Sequence, residues 1–365
     1  MTTAVEAAER SIVEPSRKSI EWTEIPPEKV PEWNERLLRT SASLFQYPYW
    51  NEPYRRYCLT KPRYLAWSND TGCHAYVCVL TIGPPHLRIG LVFRGPVNLS
   101  GVQPIPTKIL NDLREWACSQ GYVFLRFSHS DHELLNRVAS LGFSQLIDAF
   151  PFYDDSAVNY GELVVDQLPD DQQMLATFDR EARRKIRRAT EAGYEVRFED
   201  TPESLARLWP LFRKCSQRKG FHLNRSLSTY LDMVGLARPH GCARVYSVYR
   251  DGVPVEASVV LRDRDTAVCL LAALDAQLLE GKVSPSVLLH WRSMRDLHRL
   301  GVQHYNFGLG PGTVVRFKQQ FSPRVNTYPA AVTLVINQPL YHLWSRSAQP
   351  LGQSVVSWVR SSRSR

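Results

Sequence analysis

The stretch NFGLGPGTVVRFKQQF, residues 306–321, carries the strongest chemical signal in the chain. One lysine, Lys318, stands between Phe317 and Phe321, two positions after Arg316. A cation held beside an apolar wall suits the negative oxygen that develops when a carbonyl is attacked, because excluding water strengthens the attraction. The same pattern also fits an ordinary strand lysine whose stem lies on apolar neighbours while its ammonium reaches water. Alternation through RFKQQF predicts a strand, with Phe317 turned into the sheet and Lys318 facing a cleft between two domains. Arg316 would add charge to that cleft or lie on the surface. Gly308, Gly310 and Gly312 spell G-x-G-x-G, yet no helix opening with Gly-Lys-Ser/Thr follows. A Walker-type phosphate loop is therefore excluded, and a tight turn with close backbone approach is expected.

Positive charge is concentrated a second time in LATFDREARRKIRRATEAG, residues 175–193. Leu175, Phe178, Ala182, Ile186 and Ala189 share one face at helical spacing, which predicts a single amphipathic helix. Arg180, Arg184 and Arg187 lie opposite, flanked by Arg183 and Arg188. This is either a solvated face or a track for a phosphate backbone, where arginines give affinity without reading sequence, and the family resemblance described below would make that backbone a tRNA acceptor arm. Other clusters carry less. SHSDHE offers His129 and His132 at a spacing common in polar loops, and no metal site is expected. His298 falls on a core-facing side of its helix. Cys269, in VCLLAAL, should be buried and inert.

These residues need a scaffold, and the composition supplies one. The chain has 365 residues, 44% of them hydrophobic, and a net charge of +9. That amount of apolar material excludes a disordered chain, and the charge favours anionic partners. Seven cysteines, odd in number and never spaced C-x-x-C, exclude a disulfide framework and a cysteine-based zinc site. The N-terminal segment has no apolar h-region, and no run of about 18 apolar residues occurs, so a cytoplasmic protein is expected. Residues 1–20 read as a disordered tail and 346–365 as a basic one. In the latter, Leu351, Val355 and Val359 at helical spacing would allow peripheral contact with an anionic membrane.

Between the tails one pattern occurs twice. RYLAWSNDTGCHAYVCVL and RVYSVYRDGVPVEASVVL each read as a hairpin, turning at Gly72 and Gly252. ILNDLREWACSQGYVFLRF and VLLHWRSMRDLHRLGVQHYNF each read as a helix, a glycine stop and a strand, with Gly121 and Gly301 as the stops. Both pairs of glycines are 180 residues apart. Ser284 and Pro285 suit the cap and first turn of the second helix. The expectation is an α/β chain of two tandem mixed-sheet domains, 21–158 and 159–345, split near 155–165. Strand–turn–strand, a further strand, helix and returning strand describe the acetyltransferase-like (GNAT) unit.

With that doubled unit, the chain resembles the Fem family of bacterial peptidyl aminoacyltransferases, which extend peptidoglycan stem peptides. The motifs run in family order over residues 30–335: FQYPYW (45–50), FRGPV (93–97), VASLGF (138–143), REARRKIRRATEAG (180–193), SQRKGFHLNRSLSTY (216–230), SPSVLLHW (284–291) and FGLG with FKQQF (307–321). The resemblance implies a catalytic Lys318 that stabilises the oxyanion, with Phe317 as its neighbour. It implies a substrate-phosphate role for Arg218, and aminoacyl-tRNA rather than a bound cofactor as donor. It further implies an amine acceptor, peptidoglycan-precursor-like or other, and a monomer is expected. The chain departs from the family in NEPYRRY, where Pro53 and Tyr54 stand in place of a phosphate-binding lysine and Arg55 and Arg56 follow. Two other readings stay open: an acyl-CoA-dependent N-acyltransferase, and an inactive RNA- or membrane-binding module. The first needs a glycine-rich diphosphate loop before the central helix. LEGKVSPSVLLHW has one glycine there and then Pro285, which removes a backbone donor.

Overall fold

The computed structural model describes residues 21–58, 60–70, 72–100, 105–142, 144–147, 162–166, 171–220, 223, 225–279, 283–308, 312–326 and 329–348. Most of the two tails and of the 155–165 split lies outside these residues.

The first half of the chain forms β1 (Glu21–Glu24), α1 (Glu32–Leu37), α2 (Pro48–Tyr57), β2 (Lys61–Asn69), β3 (Gly72–Ile82), β4 (Arg88–Phe93), β5 (Val97–Asn98), α3 (Thr107–Ser119), β6 (Tyr122–Ser128), α4 (His132–Ser140) and β7 (Ser144–Ile147). The second half forms β8 (Glu162–Asp166), α5 (Asp171–Thr177), α6 (Arg180–Glu191), β9 (Glu195–Phe198), α7 (Pro202–Lys219), α8 (Leu227–Ala237), β10 (Ala243–Arg250), β11 (Val253–Arg262) and β12 (Thr266–Leu274). It ends with α9 (Ser286–Arg299), β13 (His304–Asn306), α10 (Gly312–Gln319), β14 (Arg324–Asn326), β15 (Ala331–Val335) and α11 (Gln338–Leu343).

The duplicated landmarks become duplicated geometry. Gly72 and Gly252 turn the hairpins β2–β3 and β10–β11 at φ of 135° and 77°, where a side chain would be strained. Gly121 and Gly301 end α3 and α9 at φ of 71° and 80°. The first sheet runs β1-β2-β3-β4-β6-β15-β7, with β5 on β3; the second runs β9-β10-β11-β12-β13-β8-β14. The two orders correspond strand for strand. Each has one parallel contact, β4 with β6 and β12 with β13, and the connection in each case contains the central helix, α3 or α9.

The correspondence exposes an exchange. In the first sheet the strand between β6 and β7 is β15, from the far end of the chain. In the second sheet the strand between β13 and β14 is β8, which follows β7. Each sheet therefore borrows its sixth strand from the chain segment next to the other. Residues 331–335, expected within a second unit 159–345, pair in the first sheet.

Three cores hold the layers. Trp22, Leu113, Phe127 and Leu135 bury one face of the first sheet against α3 and α4. Tyr246, Val260, Leu289, Met294 and Tyr305 bury one face of the second sheet against α9 and α6. The remaining faces meet α1, α2, α7 and α8 in a shared core that includes Trp33, Tyr49, Tyr76, Phe212, Tyr230 and Val259. Both faces of the second sheet are covered, which explains why VEASVVL is apolar almost throughout rather than alternating.

Candidate active site

Lys318 lies on a helix, α10, and not on the expected strand. Exposure repeats with helical period: Arg316 and Gln319 face outward, while Phe317, Lys318 and Phe321 turn in. Phe321, fully buried, fixes the end of this segment. Its ring meets Phe178 edge-on at 5.1 Å, and Phe307 and Phe317 at 5.0 and 5.6 Å. Ser322 then adopts φ of 52° and closes the turn. Phe317 thus does not oppose Lys318 across a strand. It is half-buried on the same side of the helix, against the ring of His290.

Lys318 is 6% exposed, and its Nζ donates to the carbonyl oxygens of Phe307 at 2.7 Å and Gly308 at 3.0 Å. Burial pulls its pKa down to about 8. At neutral pH it is still mainly an ammonium ion. Two titratable neighbours, His290 and Cys269, are neutral. His290, buried on α9, shares a hydrogen bond with the Tyr305 hydroxyl at 3.0 Å, and burial, then the Lys318 cation, hold it down near pKa 3. Cys269 on β12, expected to be buried, is partly exposed, yet desolvation of its thiol pushes it up to about 11, so it is no nucleophile at neutral pH. A buried ammonium beside the neutral His290 and Cys269 is a concentrated source of positive potential.

The lysine is linked to the space between the two sheets. Asn306 Oδ1 accepts from Gly308 N–H at 2.7 Å, and Asn306 Nδ2 donates to Glu162 Oε2 at 2.6 Å. Asn306 and Glu162 line a cavity of about 430 Å³ between the units. Arg94, His129, Asp131 and Arg324 add charged or titratable walls. Two sequence motifs build this cavity. Arg94 of FRGPV holds φ of 55°, an unusual conformation for a side chain of that size, while its N–H bonds Ser128. Gly95 is required because a Cβ would fall 2.7 Å from the carboxamide of Gln46 in FQYPYW. Gln46 in turn bonds the Phe93 carbonyl and the Cys78 N–H.

The basic segment forms two helices. Phe178 and Asp179 interrupt it, and Asp179 caps α6 by accepting from Ala182 N–H. Met174, Phe178, Ala182, Ile186 and Ala189 are buried, and Arg180, Arg183, Arg184, Arg187 and Arg188 are all exposed. Arg184 pairs with Glu181 and Arg187 with Glu191. The start of α6 is bolted to the end of α10: Asp179 N–H donates to the Gln320 carbonyl at 3.1 Å, and Lys185 to the Gln320 side chain at 2.8 Å. Two hydrogen bonds thus join the basic helix to the segment that carries Lys318.

Arg218 is not brought to Lys318. It ends α7, whose apolar face belongs to the core shared by both units, on the other side of the second sheet from α9. Its Nη2 donates to the Leu274 carbonyl at the end of β12. Arg316 is exposed on α10 and lines no part of the cavity. Arg55 and Arg56 are engaged with Glu52 and Asp232. Sequence reasoning passed over Asn306, Glu162 and His290, because their roles depend on strand neighbours far apart in the chain. Among the described residues no cluster of metal-ligand type occurs, and no helix is long and apolar enough to cross a membrane.

The profile of the acetyltransferase (GNAT) domain family matches residues 176–319. Among solved structures the chain is similar to FemX, with a TM-score of 0.73 and 16% identity over 88% of this chain and 99% of that one. It is also similar to L-PGS from Bacillus licheniformis, with a TM-score of 0.54 and 16% identity over 88% and 95%. A third is the C-terminal domain of a protein named as a lysylphosphatidylglycerol synthetase from Agrobacterium fabrum, with a TM-score of 0.55 and 14% identity over 87% and 94%. None of the curated proteins matches the chain in sequence. The doubled GNAT-like fold read from the sequence is thereby shown, with a GNAT acetyltransferase domain match over residues 176–319 inside a fold similar to that of FemX.

Proposed function

From the premise of a GNAT acyltransferase domain inside a FemX-like doubled fold, we propose that this chain transfers an aminoacyl group from aminoacyl-tRNA to an amine, forming an amide. The observation that carries this reading is the buried ammonium of Lys318, fixed on the helix to which the arginine-rich α6 is bolted. The acceptor nitrogen adds to the ester carbonyl carbon, and its electrons pass to the carbonyl oxygen. One of the three hydrogens of Lys318 turns to that oxyanion. On collapse the C–O bond to the tRNA ribose breaks, the ribose oxygen leaves with a proton, and the nitrogen loses one. No covalent enzyme intermediate is needed.

Support for tRNA as donor is the exposed arginine face of α6, whose reach over a phosphate backbone suits a large anionic substrate. Coenzyme A fits less well. The N-terminus of α9, where a diphosphate would sit, has Pro285 as its cap, and the Ser286 N–H is turned to the Ser284 hydroxyl. The mixed-charge cavity between the sheets offers room for the acceptor, with Glu162 and Asp131 suited to an amine and Arg94 and Arg324 to an anionic group. All seven cysteines are free thiols, in keeping with a reducing, cytoplasmic setting.

Melting curves separate the donors. Ligand at 100 times its Kd raises stability by about 2.7 kcal/mol. A shift with charged tRNA and none with acyl-CoA supports the proposal; the opposite pattern replaces it with an acyl-CoA N-acyltransferase.

A further inference from the structure

The arginine face of α6 does not end with that helix. α6 and α9 pack against one another on one side of the second sheet. The Tyr194 hydroxyl, just after α6, donates to the Val283 carbonyl, just before α9, at 3.1 Å. Packed helices lie about 8–10 Å apart, so their solvent sides form one surface. On α9, Val287, Leu289, Met294 and Leu297 are buried, while Arg292, Arg295 and Arg299 share the outer side at helical spacing. Arg292 and Arg299 are exposed and Arg295 is half-buried. Asp296, the only acid of the helix, is turned to β10, where it meets the Arg244 guanidinium at 3.3 Å and accepts from the Tyr246 hydroxyl at 2.7 Å. The guanidiniums of Arg292 and Arg295 stand 5.0 and 4.8 Å from the ring of Trp291, itself 9% exposed. A merely solvated stripe alternates charges of both signs. This one gathers three arginines and rests two of them on an aromatic ring, which lowers the cost of ordering them on an anion.

We propose, on the reading that tRNA is the donor, that α6 and α9 hold the two strands of its acceptor stem. The strand that ends in the ester lies on α6 and its complement lies on Arg292, Arg295 and Arg299. α6 is assigned the ester strand because its start is bonded to Gln320, two residues after Lys318. A paired RNA stem offers phosphates and sugars of both strands across a groove, and proteins grip it there by shape and charge. An unpaired strand offers a single row. Two basic stripes on neighbouring helices match the paired stem.

The test uses the full chain and two probes: a stem-loop RNA with a paired acceptor stem and an unpaired 3′ end, and the single strand carrying that same 3′ end. Filter binding is measured over a range of salt. Changing Arg292, Arg295 and Arg299 to alanine should weaken the stem-loop and reduce its slope of log K against log salt by roughly 2. The single strand should bind that variant as it binds the wild type, whereas alanine at Arg180, Arg183 and Arg188 should weaken both probes. Arg292→Glu with Arg299→Glu, confined to exposed positions, should act in the same direction and more strongly. That pair keeps the test open if loss of Arg295 from Trp291 lowers Tm. A triple α9 variant that holds the stem-loop like the wild type overturns the assignment and leaves tRNA as donor. Equal losses on the stem-loop and the single strand overturn the two-strand arrangement. Wild-type binding of charged tRNA without binding of the stem-loop overturns the stem surface as well. Wild-type protein that binds neither probe nor charged tRNA removes the donor itself, and this surface with it.

Discussion

Asn306 and Lys318 hold Gly308 from its two ends: the Asn306 side chain accepts from its N–H at 2.7 Å, and the Lys318 ammonium donates to its carbonyl at 3.0 Å. The loop after β13 thereby joins the cavity between the sheets to the buried cation. Anything that fills the cavity and moves Asn306 acts on the residue from which Lys318 hangs.

Replacing Lys318 should separate catalysis from folding. Lys318→Met keeps the stem in its place and removes the charge; kcat should fall by about 10² to 10³, the loss usual for one oxyanion donor. Two carbonyls lose their donor, at about 1–3 kcal/mol each, offset in part because a buried charge disappears. Circular dichroism should therefore show a folded protein with a modestly shifted Tm. Lys318→Arg should not restore activity, since a planar guanidinium cannot meet both carbonyls from the same point.

The pH dependence follows from burial. Lys318 titrates near pH 8 instead of 10.5, and the reaction uses its protonated form. The ammonium is present below that value and lost above it, so log kcat should bend downward near pH 8 and approach a slope of −1. Whatever activity Lys318→Arg retains should lack this alkaline limb, because arginine stays charged.

The exchanged strands make the two units one folding unit. Val332 and Leu334 on β15 are buried in the first sheet between β6 and β7. A chain ending at residue 328 lacks that strand and should express as insoluble or molten protein, with the first sheet lost. Calorimetry of the full chain should give a single transition. Two well-separated transitions would show that the units are stable alone.

Arg180, Arg183 and Arg188 make no salt bridge among the described residues, so they are the α6 arginines most available to phosphate. Changing all three to alanine should weaken tRNA binding across all species alike. It should also reduce the slope of log K against log salt by roughly 2. Thermal stability should hold, because each side chain is exposed.

Much of this was legible in the chain, and for identifiable reasons. Gly72 with Gly252 and Gly121 with Gly301 revealed the duplication because hairpin turns and helix stops depend on local backbone freedom. The α10 segment was misread because VVRFKQQF is rich in β-branched and aromatic residues; burial of Phe321 among Phe178, Phe307 and Phe317 overrides that propensity. The exchange of β8 and β15 left no trace, since pairing between strands so far apart in the chain, such as Asp166 with His304 and Phe127 with Val332, has no period.

The most direct test of the central claim is the fate of the ester. Purified chain is mixed with a labelled charged-tRNA pool and a set of amine acceptors that includes peptidoglycan precursors. Loss of ester and gain of amide are then followed by mass spectrometry. The account predicts an aminoacyl amide formed by the wild type and slowed about 10² to 10³ in Lys318→Met. An untouched charged pool while an acyl-CoA is consumed, or Lys318→Met as fast as the wild type, would contradict it.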